Sequence, residues 1–234
     1  YVVNTNAAYN YIPINTSGTA LGLTDDGEAN ITIPWGATFF GVSSSNLRVA
    51  NNGAILFNAT TGDVSTANAA LPNAALGLAI APFWDDIDAD TGDVYWEVQG
   101  TAPNRMLIVE WYNRPHFSNI GSATFEAILY EATNEIKFQY ADVDFGDPTL
   151  NNGASATVGI NKNATTALQV SFNQPVIQNG QAILFTPAAI LTASDSDFAE
   201  VNVRIPNIDV DPLSLSSTQA TNTTTNQTLN IGNT

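Results

Sequence analysis

Apolar and polar residues alternate with a period of two along most of this chain, and glycine, proline and Asn-Gly pairs interrupt the alternation. Successive side chains of a β-strand point to opposite faces of its sheet, whereas a helix repeats its apolar positions about every 3.6 residues. No segment carries an apolar stripe of helical length. The pattern therefore predicts an all-β chain. The predicted strands are Asn30–Pro34, Asn46–Ala50, Ala54–Phe57, Leu78–Trp84, Asp93–Gln99, Arg105–Tyr112, Ser122–Glu131, Glu135–Tyr140, Ser155–Ile160, Leu168–Phe172 and Gln181–Phe185.

Short polar pairs between these strands predict hairpins. Asn52-Gly53 separates two of the strands, and both residue types tolerate the positive φ of a type I′ turn. Asn179-Gly180 precedes the last predicted strand, and Thr133-Asn134 joins two others. Many short strands separated by such turns, at intervals of roughly 8–12 residues, are typical of two packed sheets. We therefore expect a two-sheet antiparallel β-sandwich, jelly-roll-like, with a short β-strand extension at its C-terminal side.

The character of the chain changes after residue 187. We expect residues 1–187 to form the sandwich and residues 188–212 to form a linker with one strand, since apolar and polar residues alternate over 198–205. Residues 213–234 hold two thin apolar stretches, which cannot bury a core alone. They must dock on the sandwich, pair as donated strands with another molecule, or begin a further domain.

Composition narrows the range of partners. The chain has 234 residues, of which 44% are hydrophobic and 12% charged, and this is enough apolar material for a sizeable core. Its 22 acidic residues against 6 basic ones give a net charge of -16. Because binding to a phosphate backbone needs clustered Lys and Arg, this balance argues against a nucleic-acid partner. Cations fit this charge better.

Residue usage also predicts the compartment. The chain has no cysteine, which excludes disulfides and zinc–thiolate sites. No apolar run approaches the roughly 20 residues of a membrane-spanning helix, so we expect no membrane span. Low Lys and Glu content with abundant Asn, Thr, Ser, Ala and Gly is typical of exported proteins rather than cytosolic enzymes. We therefore expect a secreted protein, extracellular or at the cell surface.

The densest chemical feature is an acidic loop between two predicted strands. Crowded carboxylates need either full solvation or a cation, and Ca²⁺ takes about six to eight oxygen ligands. The spacing imitates an EF-hand series, but the required glycine is displaced to Gly92 and the flanks are predicted strands rather than helices. We therefore predict a Ca²⁺ site on a sandwich edge loop, and the alternative is a solvated acidic turn. The predicted ligands are Asp86, Asp88, Asp90 and Asp93.

Other acidic groups are weaker candidates. Asp142, Asp144 and Asp147 follow a predicted strand and form a second oxygen cluster, for which a solvated turn is the favoured interpretation. The same interpretation applies to a cluster around Gly27 and to another in the linker. Their acidic members are Asp25, Asp26 and Glu28 in the first, and Asp195 and Asp197 in the second.

The sequence gives little support for a set of catalytic residues. The only histidine, His116, lies in a predicted loop, and no G-x-S-x-G nucleophile elbow accompanies it. Glu110 and Glu126 could act as the paired carboxylates of a glycosidase. Nearly every β protein contains such a pair, however. We therefore expect a protein that is not an enzyme.

Five segments of the chain resemble a known group of modules. They are Ile33–Gly41, Leu47–Phe57, Ile80–Asp86, Asn104–Trp111 and Phe125–Tyr130. The chain resembles the accessory β-sandwich modules of secreted bacterial subtilisin-like proteases and large surface proteins, and more loosely the nidogen-type extracellular domain. The resemblance implies extracellular adhesion or an ancillary role, and it brings no catalytic residues.

A shorter resemblance concerns the C-terminal segment. Val210–Leu215 together with Gln227–Thr234 is similar to the opening strands of immunoglobulin-like tandem modules in bacterial surface proteins. The match stops before such a domain is complete. Residues 213–234 are therefore expected to be a partial immunoglobulin-like segment or donated strands.

Two functions remain open from the sequence. The first is a noncatalytic surface or filament protein with a structural or adhesive role, stiffened by Ca²⁺ and self-assembling by strand addition, whose partners are its own copies or cell-surface proteins. The alternative is a carbohydrate-binding or targeting module of a secreted hydrolase or protease, with polysaccharide as partner. Tryptophans could stack on sugar rings. Trp84, Trp96 and Trp111 lie in apolar strands where core packing is expected, so Trp35 and Tyr112 are the better candidates.

Overall fold

The computed structural model describes two antiparallel β-sheets packed face to face. It describes residues 1–57, 64 and 67–188, together with the backbone of residues 208–211 and 230–233. The predicted two-sheet antiparallel sandwich is confirmed. In the sandwich, the strands are β1 Val2–Asn4, β2 Thr19–Ala20, β3 Glu28–Phe39, β4 Val42–Ala50, β5 Ala54–Phe57, β6 Ala79–Trp84, β7 Asp93–Gln99, β8 Met106–His116, β9 Ile120–Tyr130, β10 Ile136–Asp142, β11 Thr157–Asn161, β12 Ala167–Phe172 and β13 Gln181–Thr186. A short 3₁₀ turn spans Asn151–Gly153.

The strand order places the connections between sheets at the ends of the sandwich. One sheet has seven strands in the order β1-β13-β10-β9-β8-β7-β2, and the other has six in the order β12-β11-β6-β5-β4-β3. Strands β3 to β6 and β7 to β10 are therefore two antiparallel meanders. Residues 85–92, which we call the crossover loop, carry the chain from β6 in one sheet to β7 in the other.

Aromatic rings join the two sheets in the core. Trp111 on β8 stacks on Phe125 of β9, with ring centroids 5.0 Å apart. Phe83 on β6 of the opposite sheet contacts Phe125 at 5.4 Å. The hydroxyl of Tyr140 donates to the Pro82 carbonyl at 2.8 Å, so this buried polar group is also satisfied.

The N-terminal segment crosses the outer face of the seven-stranded sheet. Strands β1 and β2 lie at the two opposite edges of that sheet, and residues 5–18, which we call the strap, connect them. The strap hydrogen-bonds to the sheet from Ala182 on β13, through the Ala7 N–H at 3.1 Å, to Glu97 on β7, through the Ser17 hydroxyl at 2.6 Å. The sequence pattern did not predict β1 or β2, because strands of three and two residues carry no alternation.

The turn at Asn52-Gly53 joins β4 to β5 as predicted, but its geometry differs from a type I′ turn. Residues 51–53 form the connection, and only Gly53 among them has a positive φ, at 76°. Asn51 and Asn52 are fully buried. Their side chains therefore bind neighbouring segments instead of facing solvent.

Residues beyond the sandwich form a separate unit. Contacts within the chain divide it into residues 1–189 and 190–234. In the second unit, β14 (Ile208–Asp211) pairs antiparallel with β15 (Asn230–Asn233). The strand predicted over 198–205 lies outside the described residues. No described helix has the length and apolarity to cross a membrane.

Candidate functional site

The crossover loop is a hydrogen-bonded part of the sandwich end. It runs beside the end of β8, where the Asp88 N–H donates to the Pro115 carbonyl and the Phe117 N–H donates to the Asp86 carbonyl, both at 2.9 Å. The Ile87 side chain between these two contacts is fully buried. The loop is therefore anchored by its backbone and by one apolar side chain.

The four predicted Ca²⁺ ligands use their carboxylates differently. Asp93 accepts two backbone N–H groups, at 2.7 and 3.1 Å. Asp88 accepts the N–H of the following residue at 2.6 Å, and Asp90 accepts the side-chain amide of Asn119. Oδ1 of Asp86 is buried without a hydrogen-bond partner. Among the described residues, no group of three or more acidic, histidine or cysteine side chains is arranged to hold a metal ion, so the Ca²⁺ site stays a prediction.

A second acidic segment, around Gly27, lies beside the crossover loop. Burial raises the pKa of Asp25, and so do the charges of Asp26 and Asp88. Asn52 links the two segments, because its side chain donates to Oδ1 of Asp26 at 2.9 Å and accepts the N–H of Ile87 at 3.0 Å. Sequence reasoning treated the two acidic segments separately. Only the fold brings these distant parts of the chain together.

Burial raises the pKa of Asp86, and the charges of Asp26 and Asp25 raise it further against the lowering effect of His116. A carboxylate in this position gains from any nearby positive charge. The loops around Asp86 therefore form one acidic surface at the end of the sandwich, which we call the acidic end. Its acidic residues are Asp25, Asp26, Asp86, Asp88 and Asp90.

Arg114 supplies a buried positive charge behind the acidic end. Its guanidinium donates to the carbonyls of Ala89 and Gly92, both at 3.2 Å, and of Leu23 at 2.8 Å. The side chain is 1% exposed. Burial lowers the pKa of Arg114, while the charge of Asp93 raises it. Sequence reasoning missed Arg114, because a single arginine beyond a predicted strand carries no spacing signal.

His116 is the last residue of β8 rather than an ordinary loop residue. Its Nε2 lies 3.4 Å from Oδ1 of Asp85, and both side chains are largely buried. Burial lowers the pKa of His116, but the hydrogen bond and charge of Asp85 outweigh it and leave the pKa raised. The Ser155 hydroxyl donates to Oδ2 of the same aspartate at 2.5 Å. Asp85 therefore lies between serine and histidine, and this order gives Ser155 no histidine base.

Glu110 and Glu126, the other pair with catalytic potential, lie opposite each other on β8 and β9. Both are fully buried. The strap covers them: the Tyr11 hydroxyl donates to Glu110 at 2.5 Å and the Ile12 N–H donates to Glu126 at 3.2 Å. A glycosidase needs both carboxylates to reach a bound sugar. Here the strap occupies the space in which a substrate would lie.

The aromatic candidates do not form a row on one face. Trp84 and Trp111 are buried, as expected, and Trp96 is half-buried against the core. The guanidinium of Arg105 lies over the half-buried Trp35 ring, 5.1 Å from its centroid. Tyr112 is 37% exposed on the other sheet. These two rings therefore do not make a joint stacking surface for a sugar chain.

No characterised protein and no solved structure shows a significant match to this chain. The sequence does match a protein family described as NIDO-related, and the match covers residues 1–192. That range includes the whole described sandwich, with both sheets and the acidic end. The chain therefore belongs to the NIDO-related family.

Proposed function

We propose that this chain is a noncatalytic, secreted surface or filament protein whose sandwich makes structural or adhesive contacts. The main support for this proposal is that one edge of the seven-stranded sheet is exposed. In the described part of the chain, β1 is the outermost strand there, and its Val2 and Val3 are 60% and 41% exposed. An exposed strand edge is a template for a strand from another molecule.

The groups with catalytic potential support a binding role rather than a reaction. Asp85 holds both Ser155 and His116, and the Glu110–Glu126 pair is buried under the strap. Each set is used in hydrogen bonds inside the sandwich. Within the described sandwich, these groups are therefore not available to a partner, and contact with one would use strand edges and loops.

The partners that fit this proposal are other copies of the chain or proteins of the cell surface. Strand addition could use residues 1–14 or the segment that contains β14 and β15 as the donated element. The sandwich would then serve as one unit of a filament or as an accessory module in a large surface protein or secreted protease. The net charge of -16 disfavours nucleic acid in every one of these settings.

We also infer that Ca²⁺ stiffens the acidic end. Asp86 has a buried oxygen without a hydrogen-bond partner, and Asp25, Asp26 and Asp88 lie close enough for their charges to act on it or on each other. Hard oxygen donors are the ligands that Ca²⁺ takes. Arg114 already offsets part of this charge from the buried side, so a bound ion would act on the solvent side.

A second candidate function is carbohydrate binding, and a cavity favours it. An open cavity of about 500 Å³ lies between the strap and the β13 edge. Its lining includes Asn6 and Gln178, whose side-chain amides can both donate to and accept from sugar hydroxyls. The amides of Asn179 and Gln181, also in the lining, already form hydrogen bonds within the chain. Polysaccharide pull-down with the full chain, against an Asn6→Ala and Gln178→Ala double variant, separates the candidates. If the polysaccharide retains the parent chain but not the double variant, the result supports sugar binding in this cavity. If it retains neither protein, carbohydrate binding is excluded as the function.

Fractionation and electron microscopy of the native organism test the main proposal. Labelled antibody against the chain should mark filaments or a layer outside the cell. Recovery of the native protein from the cytosol, or turnover of a small-molecule substrate by the purified chain, would contradict it.

A further inference from the structure

The outer face of the seven-stranded sheet carries a row of buried polar side chains. Gln139, Glu126 and Glu110 are direct cross-strand partners on β10, β9 and β8, and all three are fully buried. We call these three residues the polar row. Carboxylates are rarely buried without a positive partner. Among the described residues, neither glutamate has an ion pair.

The backbone of the strap supplies the hydrogen bonds instead. The N–H groups of Asn10, Ile12 and Ile14 donate to Gln139 at 2.6 Å, Glu126 at 3.2 Å and Glu110 at 2.9 Å, in that order. In an extended segment, alternate residues face the same way. The polar row therefore binds every second peptide group of a chain segment that runs across the strands.

Apolar contact makes a second, smaller part of this attachment. Ile14 packs on Ile108 and Ile128 in a small cluster outside the main core, and partly buried Ile12 packs against the same cluster. Ile14 is the one fully buried residue of the strap, whereas residues such as Ala8 and Tyr9 are exposed. Because each of these two isoleucines contributes only a few kcal/mol at most, the bonds to the polar row are an essential part of what holds the strap.

We propose that the strap is a proton-dependent clasp, which lies on the sheet while the Glu110–Glu126 pair retains a proton and leaves the sheet when both carboxylates are ionised. The pKa of Glu126 is raised to about 8, mainly by burial and also by the charge of Glu110, against the lowering effect of the hydrogen bonds from Ile12 and Gln139. Burial raises the pKa of Glu110 as well. Two neighbouring negative charges can escape this cost by becoming hydrated, which requires the strap to move away.

The other titratable groups around the pair do not supply the missing positive charge. Among the described residues, Lys137 on β10 is the base whose charge acts on Glu126, and burial lowers its pKa. The strap contributes Tyr9 and Tyr11, whose pKa values are raised mainly by burial, so that both stay neutral. Tyr130 on β9 behaves in the same way. On β7, Tyr95 lies beside Glu110 in register, and Glu97 binds Ser17 of the strap.

Opening of the clasp would change both edges of the sheet. The strap ends in β1 and β2, which cover the edges of β13 and β7. Release that extends into β1 and β2 would uncover these two edges for a strand of a second copy. This consequence rests on the proposed function, whereas the clasp itself does not.

Hydrogen–deuterium exchange of the full chain tests the clasp. Protection of the strap amides, corrected for the intrinsic effect of pH, should fall at least about tenfold between about pH 6 and pH 9, while protection of the β11–β12 hairpin stays constant. Glu126→Gln, a neutral isostere, should retain strap protection at the higher pH. The matched control is Glu97→Gln, which alters another carboxylate that binds the strap and should keep the pH dependence of the parent.

Strap protection that does not change with pH in the parent chain would overturn the clasp. The same pH dependence in Glu126→Gln as in the parent would also overturn it. If Glu126→Gln does not fold, Glu110→Gln takes its place with the same expected result. Self-association is measured separately, so a monomeric chain with a pH-dependent strap contradicts the assembly proposal and leaves the clasp standing.

Discussion

Glu110 and Glu126 lie directly opposite each other on neighbouring strands, both fully buried, with no ion pair to either among the described residues. Backbone N–H groups of Ile12 and Ile14 bind them from the strap. The burial of two acids in a site of this kind is costly unless one of them stays protonated. The pair therefore couples the outer layer of the sandwich to pH.

This coupling predicts that the chain loses stability as the solution becomes alkaline. The folded-state pKa of Glu126, about 8, is above its ordinary value of 4.5. Its contribution is therefore complete below about pH 4.5 and is lost as pH rises through about 8, with a fall in stability of roughly 1.4 kcal/mol for each pH unit between these two values. Urea unfolding over this range should show a smaller loss for Glu126→Gln than for the parent. Equal losses would contradict the prediction.

The turn between β4 and β5 should not tolerate a side chain at Gly53. A Cβ there would lie 1.8 Å from the Phe83 carbonyl oxygen, and φ is 76°. Gly180 has the same φ of 76° but no atom within 4 Å of its Cβ position. Thermal unfolding should therefore show a loss of about 1 kcal/mol for Gly180→Ala and a much larger one for Gly53→Ala. If the two variants lose similar amounts of stability, the close approach of Gly53 to the Phe83 carbonyl on β6 is contradicted.

Arg114 should be essential for the crossover loop. In Arg114→Met, the Leu23 carbonyl loses its donor in a buried place, and the Ala89 and Gly92 carbonyls lose theirs in partly buried places. A buried group left without a partner costs about 1–3 kcal/mol, so chemical unfolding should show a loss of roughly 2 kcal/mol or more. Arg105→Met removes an arginine from a partly exposed ion pair with Glu131 and from the face of the Trp35 ring, and its effect should be smaller because no backbone carbonyl is left without a donor. An equally small effect for Arg114→Met would contradict its proposed role.

Removal of Ca²⁺ tests the ion at the acidic end. EDTA should lower the thermal midpoint of the parent chain and added Ca²⁺ should restore it, by an amount set by the ratio of free ion to Kd. Asp86→Asn should weaken this response, whereas Asp144→Asn, in a different acidic turn, should leave it unchanged. If EDTA has no effect and elemental analysis finds no bound metal, the acidic end is stabilised without an ion.

The longer strands of the sandwich could be predicted because their residues either alternate between apolar and polar or form short apolar runs between turn residues. Asp93–Gln99, which alternates, and Ala54–Phe57, an apolar run buried at every position, match the structure to the residue. Strand β3 continues past Pro34 to Phe39, although a register shift between Thr32 and Ala37 interrupts its pairing with β4. A prediction based on regular alternation ends at such an irregularity.

The strap and the acidic end could not be predicted in the same way. About half of the residues of the strap are exposed, and the partners of its N–H groups are side chains on distant strands. The contact between Asp26 and the crossover loop depends on Asn52, whose role follows from a buried turn and not from spacing. Both features arise from the tertiary fold. The sequence shows the two acidic segments, but its local pattern does not show that they meet.

Self-assembly by strand addition is best tested by the mass of the native full-length chain in solution, measured over a wide range of concentration. We predict that the mass rises with concentration as strands add to the exposed β1 edge. We also predict that Val2→Lys suppresses the rise, because charge at a strand edge blocks pairing, while Val176→Lys, at another exposed valine, does not. A monomer at every concentration, in the parent chain and in both variants, would contradict self-assembly by strand addition.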